Sequence, residues 1–335
     1  MTKIKKIDLA LQGGGAHGAY TWGVIDRILD DERLEIDGVC GTSAGAMNGV
    51  CTVYGLKKGG KNLAKHTLVK FWHKISEAGK LSPLQPSWFD KMMSPGNMDF
   101  SPSYRLFSMS TESFTPKQLN PLQYNPLEKI LNEVINFDEL HKLNPPKLFV
   151  CATNVKTCEA RVFGHEEITA KTILASACLP YMYDAVEIDG EHYWDGGYSG
   201  NPLIQPLIDN TIGTDDILLI QINPKNIKEV PGKIEDIRDR VNELSFNSSL
   251  LLELKLIQFK QELVAKGITL DGELKPVYLH NISADNELGN LNLSSKLNTS
   301  WDFMMYLKDL GYKACDAWIA ENYEHIGKKN TLKMV

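Results

Sequence analysis

The sequence predicts an α/β fold, because short apolar runs typical of buried strands alternate with segments of helical periodicity. The run KIDLALQ, residues 6–12, ends at a cluster of glycines, as a strand entering a tight turn does. Residues 17–31 carry apolar side chains at helical spacing, and LEIDGVC, residues 34–40, forms a second strand. This order of strand, glycine turn, helix and strand is a βαβ unit, and such units build α/β folds.

The elements that follow continue this alternation. Residues 42–53, TSAGAMNGVCTV, predict a helix directly after the second strand, so Ser43 lies at a strand-to-helix corner. Further strands are predicted at residues 147–153, 160–163, 217–223 and 276–283. We therefore expect a single α/β domain over residues 1–335, in which residues 227–335 form C-terminal helices plus one strand.

Two segments do not follow the alternation. Residues 75–126 are rich in proline and large apolar side chains, and they predict an irregular insertion that caps or covers an active site. Residues 240–266 predict a helix that either packs on the body of the domain or faces lipid or a partner. Within residues 75–126 the apolar cluster comprises Trp88, Phe89, Met92, Met93, Met98 and Phe100. Its flexible side chains suit the admission of acyl chains, although a cap packed on its own domain is an equal alternative.

Composition excludes several classes of protein. The 36 basic and 42 acidic side chains are mixed along the chain, for a net charge of −6, so no nucleic-acid partner is expected. No stretch approaches the ~18 apolar residues of a membrane span, and the first apolar run is too short for a signal peptide, so we expect a cytoplasmic protein. The six cysteines form no CxxC pair, and neither a metal nor another cofactor is expected.

The glycine loop that follows the first strand is suited to binding a negative group. Gly13, Gly14, Gly15 and Gly18 let backbone N–H groups approach an anion without intervening side chains. The loop satisfies G-x-G-x-x-G, and Asp37 follows, so a dinucleotide-binding protein is one alternative. In a dinucleotide-binding protein the acidic residue lies at the carboxyl end of the second strand, whereas Asp37 lies near the start of that strand. A P-loop is excluded because no Gly-Lys-Ser/Thr follows the glycines.

The segment GTSAG, residues 41–45, matches the nucleophile-elbow pattern G-x-S-x-G. In that pattern a sharp turn between strand and helix exposes the serine hydroxyl, here that of Ser43, at the helix N-terminus. Because adjacent strands of one βαβ unit bring their carboxyl ends together, the glycine loop is expected beside this serine. The N–H groups of Gly14 and Gly15 would then bind the oxyanion of an acyl-transfer reaction.

Two arrangements could supply the base that a serine nucleophile needs. A Ser-His-Asp α/β-hydrolase esterase would use His280 or His325. A Ser-Asp dyad would use Asp195, in EHYWDGGYSGNP, although Asp-Gly is more often an ordinary turn. Because a solvated carboxylate with a pKa of ~3.9 is a weak base, this role requires a desolvated site. The neighbouring Tyr193 and Trp194 could provide one.

Taken together, the motifs QGGGAHG, GTSAG and DGG, with ILASACLPYMY before the last of them, resemble the patatin-like phospholipase family over residues 6–202. The later segment NELSFNSSLL is similar to the sequences of a bacterial branch of this family. The resemblance implies a three-layer α/β/α fold with a mainly parallel central sheet, and a Ser-Asp dyad that needs no histidine or metal. The implied reaction is the hydrolysis of lipid acyl esters, as in a phospholipase A or lysophospholipase.

Carried over by position, the resemblance makes Ser43 the nucleophile and Asp195 the base. The oxyanion loop would consist of Gly13, Gly14, Gly15, His17 and Gly18, and the elbow and motif glycines are Gly41, Gly45, Gly196 and Gly197. His17 stands where the family usually has Arg or Lys, and it is cationic only when protonated; alternatively its side chain contacts the loop backbone. The implied partners are a lipid or other acyl-ester substrate and, transiently, a membrane surface.

Overall fold

The computed structural model describes residues 4–144, 146–210, 213–227, 229–232, 234–267 and 276–332. The ends of the predicted domain, residues 1–3 and 333–335, lie outside the described residues. Within the described part, eight strands form one sheet. They are β1 Lys5–Leu11, β2 Leu34–Thr42, β3 Lys147–Asn154, β4 Ala160–Phe163, β5 Val186–Ile188, β6 Glu191–Asp195, β7 Asp216–Gln221 and β8 Tyr278–Ser283.

The centre of this sheet is parallel. β1 lies between β2 and β7 and is parallel to both, while β3 and β8 extend the parallel arrangement on either side. β4, β5 and β6 are antiparallel additions beyond β3. The strand order is β5-β6-β3-β2-β1-β7-β8, with β4 also paired to β3. The predicted sheet is therefore confirmed, with a mixed region at one side.

The helices occupy the connections between these strands. In the described residues they are α1 Gly18–Asp30, α2 Ala44–Lys80, α3 Trp88–Met93, α4 Pro102–Ser113, α5 Pro116–Leu119, α6 Pro126–Val134, α7 Phe137–Lys142, α8 Ala170–Ser176, α9 Gln205–Asn210, α10 Ile234–Ala265, α11 Asp285–Leu288 and α12 Trp301–Asn322. The long α2 is kinked at Gly59 and Gly60, whose dihedral angles are not helical. None of these helices combines the length and apolar content that crossing a bilayer requires.

Helices cover both faces of the sheet, which makes three layers. Successive strand residues point to opposite faces, so Leu9 and Leu11 enter one core while Ala10 enters the other. The first core includes buried side chains of α1, α2 and α12, and the second includes those of α9 and α10. The three-layer α/β/α fold is confirmed, and the carboxyl ends of its central strands carry the loops considered next.

Residues 75–126 contain short helices that their irregular composition did not reveal. Ser87 and Asp90 form a capping box at the start of α3, and Thr115 and Gln118 form another at α5. α4 begins with Ser101 as its cap and a proline in its first turn. Capped helix starts therefore recur through this segment, with short connections between the helices.

The apolar cluster predicted in this segment divides into exposed and buried members. Met98 is fully buried, and its N–H donates to Ser294 Oγ over 2.8 Å. The exposed members are Trp88, Phe89, Met92, Met93 and Phe100. One methionine thus anchors the segment to the domain while the other large side chains face outward.

Replacing Gly23 of α1 by alanine should destabilise the protein. α1 and α12 cross so closely that a Cβ atom at Gly23 would collide with the backbone carbonyl of Lys308. We expect the free energy of unfolding to fall by about 1–3 kcal/mol, measured by urea denaturation. The matched control is Gly164→Ala, where the added atom meets no backbone within 4 Å. Equal stability of the Gly23 variant and the wild type would contradict the close crossing.

Candidate active site

The pairing of β1 with β2 brings the glycine loop beside Ser43. Leu11 of β1 is level with Gly41 of β2, so two residues further along Gly13 is level with Ser43. A Cβ atom built on Gly13 would lie 2.6 Å from the Cβ of Ser43. Only glycine fits this approach, which makes Gly13 the residue that lets the loop and the elbow share one site.

The pairing of β3 brings Asp195 next to the end of β2. β4 occupies one edge of β3, so β2 and β6 share the other edge, and β6 pairs there just beyond the point where β2 ends. Thr42 of β2 is level with Cys151 of β3, and the next residue, Ala152, pairs with Asp195 of β6. Asp195 therefore lies beside Ala152 directly beyond the end of β2, where Ser43 follows Thr42. No strand separates the two residues, so their side chains can meet directly.

Ser43 occupies the corner between β2 and α2 with φ 55° and ψ −122°, a conformation that is rare for a residue with a side chain. The corner is tight enough that a Cβ atom on Gly45 would collide with the carbonyl of Leu11, and one on Gly41 would meet the backbone of Gly45. The Ser43 N–H donates to Ser176 Oγ over 2.9 Å. The strained turn thus holds the hydroxyl at the start of a helix.

Asp195 is buried, with 1% of its surface exposed, and its position is fixed by its backbone. Its N–H donates to the carbonyl of Cys178, and its carbonyl accepts from Thr153 Oγ1, each over 2.8 Å. Its Oδ1 accepts the Gly197 N–H over 2.7 Å. Oδ2 is also buried and accepts no hydrogen bond from the described residues within ordinary limits of length and angle. One carboxylate oxygen is therefore held by the backbone, and the other is left to interact with the Ser43 side chain.

The environment of Asp195 makes its carboxyl a stronger base than an exposed aspartate. Burial raises its pKa to about 6, and this effect exceeds three opposing ones. The Gly197 N–H, hydrogen bonding with the Ser43 side chain and the positive charge of Lys296 each lower the pKa. The carboxyl therefore titrates just below neutral pH while it interacts with the serine.

The glycine loop is held by two asparagines. Asn201 Oδ1 accepts the N–H of Gly13 over 2.7 Å, and Asn223 Nδ2 donates to the carbonyl of Gly13 over 2.7 Å. The N–H of His17 donates to Gly14, and that of Gly18 donates to Gly15. Gly13, His17 and Gly18 therefore use their N–H groups inside the protein.

Gly14 and Gly15 differ from the rest of the loop. Across the part of the chain that the structure describes, no acceptor is recorded for the N–H group of either residue. Gly15 adopts φ +59°, the left-handed region that favours glycine. Among the other motif glycines, Gly18 packs against Ala44 and Gly196 lies against the carbonyl of Cys151. The two uncommitted N–H groups belong to the residues predicted as oxyanion donors.

The His17 side chain contacts Ser295 instead of the loop backbone. Its Nε2 lies 2.7 Å from Ser295 Oγ, and that hydroxyl donates its own proton to the carbonyl of Asn292 over 2.6 Å. Nε2 must therefore carry the proton of the His17 ring. Burial and the positive charge of Lys296 lower the pKa of His17 to about 3. His17 is neutral near pH 7, so it does not supply a positive charge to the loop.

The two alternatives drawn from the sequence find little support in the geometry. His280 places Nε2 2.9 Å from Asp216 Oδ1 and Nδ1 2.8 Å from Thr331 Oγ1, so both nitrogens are engaged on β7 and the C-terminal segment. His325 lies in a turn after α12, near Gly327, whose N–H also donates to Asp216. Two observations count against the dinucleotide alternative. Asp37 lies in the first half of β2, and its carboxylate forms an ion pair with Lys6 over 2.9 Å.

A family model described as patatin-like phospholipase matches residues 9–208, more than half of the chain. The chain belongs to the patatin-like phospholipase family. Patatin-like proteins are lipid acyl hydrolases in general, and their substrates are lipids. A solved structure of VipD from Legionella pneumophila is similar, with 14% identity and a TM-score of 0.42, over 95% of this chain and 67% of VipD. No curated protein matches the sequence.

Several residues that hold this patatin-like site were given no role by the sequence analysis. Asn201 and Asn223 fix the Gly13 peptide, and Gln12 Oε1 accepts the N–H groups of Ile222 and Asn223 over 2.8 and 3.0 Å. Lys296 reaches the same network from far along the chain. Gln12 and Asn201 lie within the quoted motif segments, so their positions could have indicated them, whereas Asn223 and Lys296 lie outside those segments. In the described residues, no group of three or more His, Cys, Asp or Glu side chains is placed to hold a metal ion.

We expect the His17 ring of this patatin-like protein to stay neutral from about pH 8 to about pH 5. Its burial disfavours the imidazolium ion, and its proton should reside on Nε2. Ring ¹⁵N chemical shifts measured across this range would show one neutral Nε2–H tautomer with no titration, and His17→Gln would assign the signal. A ring that becomes protonated near pH 6 would contradict this placement.

Proposed function

We propose that the protein is a serine lipid acyl hydrolase, of the phospholipase A or lysophospholipase type, that uses Ser43 and Asp195 as a catalytic dyad. The observation that carries the proposal is the common level of Gly13, Ser43 and Asp195 across neighbouring strands. A strained serine beside a buried carboxyl and two uncommitted N–H groups supports acyl transfer better than nucleotide binding.

In the proposed first step, Ser43 Oγ attacks the ester carbonyl while Asp195 accepts the hydroxyl proton. The electron pair of the carbonyl double bond moves to the oxygen, and the N–H groups of Gly14 and Gly15 bind the resulting oxyanion. Each such donor typically contributes about 3–4 kcal/mol to lowering the barrier. The N-terminus of α2, where Ser43 is the cap residue, also favours this negative charge.

In the proposed second step, the tetrahedral intermediate releases the alcohol or lysolipid, which takes the proton from Asp195. Asp195 then removes a proton from water, and the water oxygen attacks the acyl carbon on Ser43. The bond between that carbon and Ser43 Oγ breaks, Oγ takes the proton back from Asp195, and the fatty acid is released. A base must be ionised to act. Because the pKa of Asp195 is about 6, the carboxylate form prevails at pH 7, and activity is expected to fall as the pH drops below about 6.

Residues 75–126 are proposed as the cap that admits acyl chains. The segment is joined to the glycine loop through residues 292–296, because Asp99 Oδ1 accepts from Ser294 Oγ over 2.8 Å while the adjacent Ser295 contacts His17. An ion pair between Arg238 and Glu112 connects α10 to α4. The exposed apolar side chains of the cap would contact the acyl chain or, transiently, a membrane surface.

The protein is proposed to act in the cytoplasm. All six cysteines, including the exposed Cys158, are free thiols. Unpaired cysteines are typical of a reducing compartment.

Ser43→Ala and Asp195→Asn should each reduce hydrolysis of p-nitrophenyl butyrate by about a thousandfold, because they remove the nucleophile and the base. Ser43→Ala should also abolish labelling by a fluorophosphonate probe. Matched controls are the exposed Ser248→Ala and Asp189→Asn, which lie on α10 and on the β5–β6 turn and should retain wild-type rates. Wild-type turnover by either dyad variant would reject the dyad.

Combining Trp88→Gln, Met92→Gln and Met93→Gln should impair long-chain substrates selectively. These side chains are 73%, 52% and 60% exposed, so the change adds polarity without opening a buried core. We expect kcat/KM for a palmitoyl ester to fall by about tenfold, and that for a butyryl ester by less than about twofold. Tyr306→Gln on α12, which is 56% exposed, is the control for surface polarity. Equal losses for both chain lengths would refute the role of the cap.

A further inference from the structure

Lys296 joins the proposed site from a part of the chain that carries no recognised motif. It lies in the 3-10 segment Leu293–Leu297, and its side chain is half-buried. Its Nζ donates to Asn223 Oδ1 over 2.8 Å, and Asn223 Nδ2 donates to the Gly13 carbonyl over 2.7 Å. A single asparagine therefore lies between this ammonium group and the glycine loop.

We propose that Lys296 is a positioning residue of the active site, which orients the Gly13–Gly14 peptide through Asn223 and holds the Asp195 carboxyl in its ionised form. This inference rests on the proposed function. It assigns to Lys296 two effects, one geometric and one electrostatic, that can be separated by experiment.

The geometric effect follows from hydrogen-bond chemistry. An ammonium group has donors only, so it binds the oxygen of the Asn223 side chain and leaves the NH₂ group to face the Gly13 carbonyl. The Gly13 carbonyl belongs to the same planar trans peptide as the Gly14 N–H, and the two point in opposite directions. Holding the carbonyl towards Asn223 therefore directs the Gly14 N–H away from it, as a preorganised oxyanion donor requires.

The backbone of Lys296 is fixed against the same loop. A Cβ atom on Gly15 would collide with the Lys296 carbonyl, so the two segments are in direct contact. The N–H of Leu293, in the same segment, donates to Asp239 Oδ2 over 2.9 Å, and Ser294 Oγ donates a hydrogen bond to Asp99 Oδ1. The lysine side chain therefore starts from a defined position and does not need to be ordered by substrate.

The electrostatic effect concerns Asp195. Among the described groups whose charges act on this carboxyl, Lys296 is a cation, and its charge lowers the pKa that burial raises. The remaining groups that face Asp195 are Cys151, Cys178 and Tyr198, and burial raises the pKa of each. These three are uncharged near neutral pH, so they do not oppose the effect of the lysine.

The groups that face Lys296 come from several elements. Asp239 and Glu243 of α10, together with Asp195, favour its charged form, whereas burial lowers its pKa. His17 also lies within range of its charge but is itself neutral. Burial is the largest of these effects, so the pKa of Lys296 lies below its ordinary value, while the three carboxyl groups around it favour the ammonium form.

The test measures kcat and KM from about pH 5 to about pH 8 for the wild type and for Lys296→Met, which keeps the length of the side chain but removes its charge. We call the decline of kcat/KM on the acidic side of the pH profile its acidic limb. In Lys296→Met this limb should move to higher pH by about half a pH unit to one pH unit. The plateau kcat should fall by about tenfold, with little change in KM. Lys296→Arg should return the limb towards its wild-type position. The exposed Lys328→Met is the control.

Asn223→Leu separates the two effects. This variant removes the contact with the Gly13 carbonyl but keeps the positive charge of Lys296, so the plateau kcat should fall while the acidic limb stays in place. All rates are divided by the active-site concentration from fluorophosphonate titration, so misfolded protein does not count. If Lys296→Met folds poorly, Lys296→Gln is measured in the same way.

An unchanged limb and an unchanged kcat per active site in the uncharged variants would overturn the inference, even if the melting temperature fell. A Lys296→Arg limb that coincides with that of Lys296→Met would also overturn it. Failure of the proposed function has a different signature, because hydrolysis would then persist in Ser43→Ala. Ser43-dependent hydrolysis with no effect at Lys296 would reject only the role of this lysine.

Discussion

The close parallel pairing of β1 with β2 is the constraint on which the rest of the site depends. It places Gly13 level with Ser43, where any side chain larger than hydrogen would collide with the serine Cβ. Because both strands end at this level, the turn after β1 presents its N–H groups to the corner after β2. The proposed oxyanion loop and nucleophile are thus brought together by the backbone of a single βαβ unit. Asp195 joins them because β6 pairs with the same edge of β3 as β2, just beyond the end of β2.

The electrostatics of the site reflect a balance between burial and hydrogen bonding. Burial raises the pKa of Asp195, and the Gly197 N–H, the Ser43 side chain and Lys296 each oppose that rise, so that the pKa is about 6. His17 is kept neutral by its own burial. The charge near the glycine loop is therefore carried by Lys296 of the C-terminal part. This arrangement makes residues 292–296 a structural link between the proposed cap, through Asp99 and Ser294, and the loop, through Ser295.

Local patterns in the sequence predict the elements that carry the site, but they do not predict what supports it. Strand-turn-helix order and the two glycine motifs locate Ser43 and the loop, because these depend on residues close together in the chain. The helices of residues 75–126 were missed, although the Ser-to-Asp spacing of residues 87 and 90 is a capping signal. Asn223 and Lys296 could not have been found, because their roles arise from contacts over 210 and 73 residues of separation. The change from Arg or Lys to histidine in the loop likewise acquires its meaning only from burial.

The most direct test is a crystal structure of the wild-type protein after reaction with a fluorophosphonate, whose phosphoryl oxygen stands in for the oxyanion. The account predicts that phosphorus is bonded to Ser43 Oγ, with that oxygen about 2.7–3.1 Å from the nitrogens of Gly14 and Gly15. The Asp195 carboxylate should remain within hydrogen-bonding reach of the modified serine. Phosphorus on another residue, or an oxygen directed away from both glycine nitrogens, would contradict the convergence proposed for this edge of the sheet.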